Sequence, residues 1–245
     1  MIKRTLGICT VCLLVLAAGC GKKDDPAASG FTPKPNDFLS SATYTKLTIE
    51  IVSVSGFEPS STSLNNLKAF LESRLNKTVS FSQKTISSPG KSVLSVDDIK
   101  SIESNNRTLS TSGTNLTAFF LFADADYSGN TGNSKVLGVA YGASSMTIFE
   151  KTIRQFSGGV GQPSISILET TVADHEFGHI LGLVNNGTSM QTSHQDAGNG
   201  KHCNSQSCLM YFNVETSDAV ANLLGGSVPG LDANCLADLK GNGGK

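Results

Sequence analysis

Charge of either sign is scarce in this 245-residue chain, where 19 Lys and Arg stand against 20 Asp and Glu for a net charge of -1. With a pI near 6.4 and no basic cluster beyond the extreme N-terminus, nothing draws in nucleic acid, and that class of partner is set aside. No internal repeat is visible, and no second long apolar run follows the first, so neither a repeat array nor a bundle of membrane-spanning helices is expected. Histidine is rare as well: there are four, and two of them fall within five residues of each other, at His175 and His179. What is present, 38% hydrophobic residues with 16% charged, reads as a globular protein of one medium domain or two small ones.

The one apolar run lies at the start. In "MIKRTLGICTVCLLVLAAGC", Lys3 and Arg4 precede a stretch too short to span a bilayer, and small residues precede Cys20. This is the pattern of a secretory signal over residues 1–19. Its ending, "AAGC", resembles the bacterial lipobox, which implies cleavage before Cys20 and a lipid on that cysteine as the anchor. Residues 20–43, which after Cys20 run "GKKDDPAASGFTPKPND", are rich in Gly, Pro, Ser and charge and read as a flexible tether. The Lys-Asp-Asp stretch is similar to the export signal of surface-exposed lipoproteins of Bacteroidetes-type bacteria. That resemblance implies an extracytoplasmic protein, lipid-anchored to a bacterial membrane and displayed on the outer one; an ordinary soluble linker is the alternative.

Six cysteines are present, of which Cys9 and Cys12 leave with the signal and Cys20 takes the lipid. Cys203, Cys208 and Cys235 remain, an odd set that permits one disulfide and one buried thiol.

Residues 44–245 carry the domain. "KLTIEIVSV" has the β-branched content of a strand, and "TSLNNLKAFLESRLNK", capped by Thr62 or Ser63, places Leu64, Leu67, Phe70, Leu71 and Leu75 on one helical face. "TVSFSQKTIS" alternates as a second strand, Val96, Ile99 and Ile102 mark a short helix, and "LTAFFLFAD" is apolar enough for a central strand. "VLGVAYGASSMTIFE" reads as a strand and its continuation, followed by the helix bearing His175 and by a terminal helix over Ala219 to Leu224 or Leu231 to Leu239. The expectation is an α+β domain, with a mixed twisted sheet and helices mainly on one side. "DADYSGNTGN" alternates acidic residues but lacks the Glu that closes a calcium loop, so it reads as a turn.

The chemistry centres on "HEFGH". His175 and His179, four apart on a helix, share a face one turn apart and can reach one ion. Zinc takes neutral imidazoles and leaves a position for water, whose pKa falls toward about 7 in such sites. Glu176 beside them has the place of general base and acid. Ser164 or Ser166 can cap this helix, and Gly182 can end it with φ > 0. Chance occurrence of the pattern in a chain this long is of order 1%.

From His175 to Gly182 the spacing HExxHxxG resembles the metzincin clan of zinc endopeptidases. The resemblance implies a metzincin-like domain with an active-site helix and a C-terminal helix, a Zn2+ cofactor, and protein or peptide substrates. It places a third ligand three residues after the Gly, where this chain has Asn185, an uncharged amide of little basicity. "CLMY" resembles the clan's Met-turn, with Met210 as the turn methionine, and matrixin-type members hold the third His eight residues earlier, which is His202. "HCNSQSCLM" also resembles the H-C-x4-C-x-M of archaemetzincins, whose later C-x-x-C, helping to hold a second zinc, is absent after Met210. That absence leaves a Cys203–Cys208 disulfide as the reading, with Cys235 a rival partner. His202 is the expected third ligand, with His194 and then Asn185 as alternatives, and residues 185–201 an insertion. The same resemblance makes "VLGVAYG" the edge strand above the cleft, to which an extended peptide adds by backbone pairing. A non-catalytic binding or adhesion lipoprotein on this scaffold is the competing reading; a Glu176 retained beside the two histidines favours the enzyme.

Overall fold

The computed structural model describes residues 31–223 and 226–245. The signal segment, Cys20 and the tether as far as residue 30, like Leu224, lie outside the described residues. A five-stranded sheet in the order β2-β1-β4-β7-β6 forms the frame. β1 (Lys46–Val54) pairs in parallel with β2 (Thr78–Ile86) and with β4 (Asn115–Phe122), and β4 pairs in parallel with β7 (Ser145–Ile148). β6 (Gly138–Gly142) is antiparallel to β7 and forms one edge. A two-residue parallel pair, β3 (Val93–Leu94) and β5 (Asp126–Tyr127), sits apart, so the Asp-rich stretch is a short bridge and a turn.

β1 and β4 are almost continuously buried because both their faces are covered. Leu47, Ile49, Ile51, Ala118 and Phe120 face the larger core with α2 (Ser61–Arg74) and α5 (Ile165–Ile180). Val52, Phe119 and Leu121 face a smaller core closed by Ile99 and Ile102 of α3 (Val96–Asn106). Among the described residues the helices thus lie mainly on one side, with α3 across the sheet. α4 (Glu150–Gln155) follows β7, and α6 (Ala233–Gly241) seals the larger core with Cys235 and Leu239.

Four local expectations need correction. "VLGVAYGASSMTIFE" is a hairpin, β6 and β7, with an irregular register between Ala140 and Gly142. α2 is capped by Ser60, whose Oγ accepts from Ser63 N at 3.1 Å and donates to Glu169 Oε2 at 2.6 Å. The stretch 217–223 is a 3-10 turn, and the terminal α-helix runs Ala233–Gly241. Finally, the tether expected over 20–43 includes α1 (Pro35–Leu39), whose Phe38 and Leu39 are fully buried. Phe38 meets the ring of Phe177 edge-on at 5.8 Å, so this short helix braces the back of α5.

Candidate metal centre and active site

α5 begins at Ser164, whose Oγ accepts from Ile167 N at 3.3 Å, and ends where Gly182 takes φ +75°. Most of its residues after Ile167 are buried, so its histidines are carried on a rod held from all sides. Met210 packs against the same rod. A Cβ on Gly178 would lie 2.3 Å from the Met210 sulfur, so only glycine lets the turn methionine approach the helix between the two histidines. Gly138 does the same for β6, where a Cβ would lie 2.8 Å from Glu176 Cγ.

His175, His179 and His202 come together. Their Nε2 atoms and a carboxylate oxygen of Glu215 lie within 4.8 Å of one another. His175 Nδ1 donates to the Leu209 carbonyl and His202 Nδ1 to the Asn199 carbonyl, each at 2.7 Å. A carbonyl can only accept, so both rings carry their proton on Nδ1 and turn a lone pair on Nε2 inward. Nε2 of His175 and His179 are 3.1 Å apart, while a tetrahedral zinc with bonds of about 2.0–2.1 Å has ligand–ligand edges of about 3.3 Å. The buried Nε2 of His202 has no hydrogen-bond partner. Three such nitrogens fit a zinc ion.

Electrostatics agrees with that use at His179. Burial, reinforced by the neighbouring imidazoles of His175 and His202, holds His179 well below the ordinary histidine value, which keeps it neutral. Burial opposes charge on His202, yet Glu215 outweighs it and draws the imidazole upward. Glu176 is buried with neither carboxylate oxygen hydrogen-bonded, and burial, then the charge of Glu215, pushes its carboxyl well above the usual range. A cavity of about 280 Å³ lies in front, lined by Val139 and Ala140 of β6 and by Glu176, His179, Asn186, Lys201, His202 and Glu215.

The other two candidates for third ligand stand elsewhere. Asn185 is exposed, with φ 61°, and serves the chain reversal after α5. His194 is buried in a second cluster: its Nε2 meets Asp238 Oδ2 at 2.8 Å, and its Nδ1 stands 3.4 Å from Cys203 Sγ and 4.0 Å from Cys235 Sγ. His194, Cys203, Asp232 and Cys235 have donor atoms within 4.8 Å of one another, a second group with the composition of a metal site. The expected Cys203–Cys208 disulfide is not formed. All three thiols are free, Cys203 donates to Asp232 Oδ2 at 3.2 Å, and the sulfurs of Cys208 and Cys235 stand 3.6 Å apart.

Glu215 escaped the sequence reading. It closes a 3-10 turn, Phe212–Glu215, directly after the Met-turn, and no residue pattern marks it. Its distance of five residues from Met210 was the only available signal.

No protein-family model and no curated protein matches the chain. Among solved structures, archaemetzincin from Methanopyrus kandleri is similar with a TM-score of 0.51 at 14% identity, over 81% of this chain and 96% of that one. A zinc-dependent peptidase from Methanocorpusculum labreanum gives 0.48 at 16% identity, over 78% and 99%. The first likeness shows the fold: a mixed, mostly parallel sheet with helices, arranged as in archaemetzincin.

Proposed function

We propose that the chain is a zinc-dependent endopeptidase acting on extracytoplasmic proteins or peptides. The convergence of three imidazole nitrogens, with His179, His202 and an unpaired Glu176 carboxylate lining a cavity beneath an edge strand, carries the reading. His175, His179 and His202 would hold the ion. When bound, zinc supplies a Lewis acid that polarises the scissile carbonyl and makes a water nucleophilic near neutral pH.

The rest is work for the chain's own groups. Val139 and Ala140 offer backbone to an extended peptide, which orients its carbonyl toward the imidazoles. Glu176, at the cavity wall with no other hydrogen bond, takes the proton of the attacking water and passes it to the leaving amine. Attachment to a membrane through a lipid on Cys20 belongs to the same proposal and rests on the lipobox resemblance alone.

Purified protein should hold zinc and cleave an unstructured protein such as denatured casein. A chelator should abolish cleavage, and added zinc should restore it. Full activity in a sample verified as metal-free would sink the reading.

A further inference from the structure

Glu215 meets the three imidazoles in an unusual way. Its Oε2 lies 3.8 Å from His175 Nε2, 3.9 Å from His179 Nε2 and 3.4 Å from His202 Nε2. A carboxylate paired directly with an imidazolium closes to about 2.7–2.9 Å. Here no separation is that short, no hydrogen bond joins His202 Nε2 to the carboxylate, and the oxygen faces all three rings. Such spacing suits four donors disposed around a centre, since tetrahedral edges for zinc are about 3.3 Å. Among the described residues, no Lys or Arg pairs with Glu215.

The backbone holds the carboxylate where it is. Leu137 N donates to Glu215 O at 2.7 Å, Ser217 N donates to Lys135 O at 2.8 Å, and Val136 bridges Thr216 in antiparallel register. The turn bearing Glu215 is therefore clipped to the run that leads into β6, and it shares a cavity with Val139 and Ala140. A peptide pairing along the edge strand meets this turn.

We propose that Glu215 is a fourth protein ligand of the ion held by His175, His179 and His202, so that the free protein rests with its coordination closed and must release Glu215 to admit substrate. The proposal rests on the zinc reading above and adds to it a self-occupied position. A catalytic zinc site keeps one position for water or substrate; here a side chain of the chain itself fills it between turnovers.

The test uses the whole mature protein, its Glu215→Gln variant and a Glu215→Asp variant, which keeps the charge but shortens the reach. Circular dichroism checks folding. Zinc affinity is measured by competition with a chromophoric chelator, and the site is also loaded with cobalt(II) for its visible spectrum. Glu215→Gln and Glu215→Asp should each bind zinc at least about tenfold more weakly, since even an outer partner of a ligand is worth 10–100-fold. Azide should shift the cobalt bands of both variants at lower concentration than those of wild type. Unchanged zinc affinity and azide response in a folded variant would overturn the proposal while leaving the three-histidine site standing. A wild-type protein that binds no zinc would instead refute the reading beneath it.

Discussion

Two donor clusters stand on either side of the chain segment 202–203. The first gathers His175, His179, His202 and Glu215 at a cavity, with Glu176 unpaired beside them. The second gathers His194, Cys203, Asp232 and Cys235, of which all but Asp232 are buried, and its histidine is tied from behind by Asp238. Adjacent residues, His202 and Cys203, serve opposite clusters. The contrast teaches what openness is for. Imidazoles at a cavity leave room for a reacting group, whereas thiols and a braced imidazole in the interior can only fasten.

The largest effect separates reaction from fastening. Glu176→Ala should lower turnover by about 10³-fold or more while zinc stays bound, because the proton acceptor goes and every ligand remains. Metal analysis beside a cleavage assay checks it, and wild-type turnover in that variant would remove Glu176 from its role.

Next comes the pair that tells the clusters apart. His202→Ala should cost the open site its zinc as severely as His179→Ala. His194→Ala should leave that zinc in place and lower stability, since it strips Asp238 of a buried partner. A loss of about 2 kcal/mol would lower Tm by roughly 4–8 °C in a domain this size. Atomic absorption and a thermal scan on both variants decide the matter. Zinc retained in His202→Ala and lost in His194→Ala would reverse the assignment.

The smallest effect concerns acidity away from both clusters. Burial, with the charge of Glu169 adding, raises the Glu150 carboxyl from its ordinary 4.5 to about 8. Between those values the folded chain holds a proton that the unfolded chain has released, so stability present below 4.5 is lost as pH rises through about 8. Wild-type Tm should fall by a few degrees between pH 5.5 and pH 8.5, and Glu150→Gln should flatten the slope. An equal slope in that variant would show that another group governs it.

The helix of "HEFGH" could be read from the spacing of its motif, strand β1 from its β-branched content and strand β4 from its unbroken apolar run. The hairpin turn could not, since apolar residues run on both sides of small ones at Ala143 and Ser144. The cap of α2 was ambiguous among neighbouring hydroxyls at 60–63, and the choice fell to Ser60 through Glu169, 109 residues further on. Phe38 and Leu39 hid in a polar, proline-bearing stretch and found their place only against α5. In the site, two residues announced themselves by spacing, whereas His202 needed the Met-turn as a landmark and Glu215 needed the folded chain. Long-range placement is what a local pattern leaves out.

The stretch between Gly182 and His202 has a consequence for how such chains are to be sought. Its stems are pinned: Asn186 Nδ2 bonds His179 O at 3.1 Å, Asp196 N bonds His202 O at 2.7 Å, and Asn204 N bonds His194 O at 2.9 Å. Between fixed stems, doubling a flexible loop costs only about 0.6 kcal/mol in closure entropy. Length in its exposed part, past the buried Thr188 and His194, can therefore change at small cost while the three imidazoles keep their positions. A search written with a fixed count of residues from the second histidine to the third passes over chains like this one; one anchored on the distance back from the methionine, with the loop left open, would gather them.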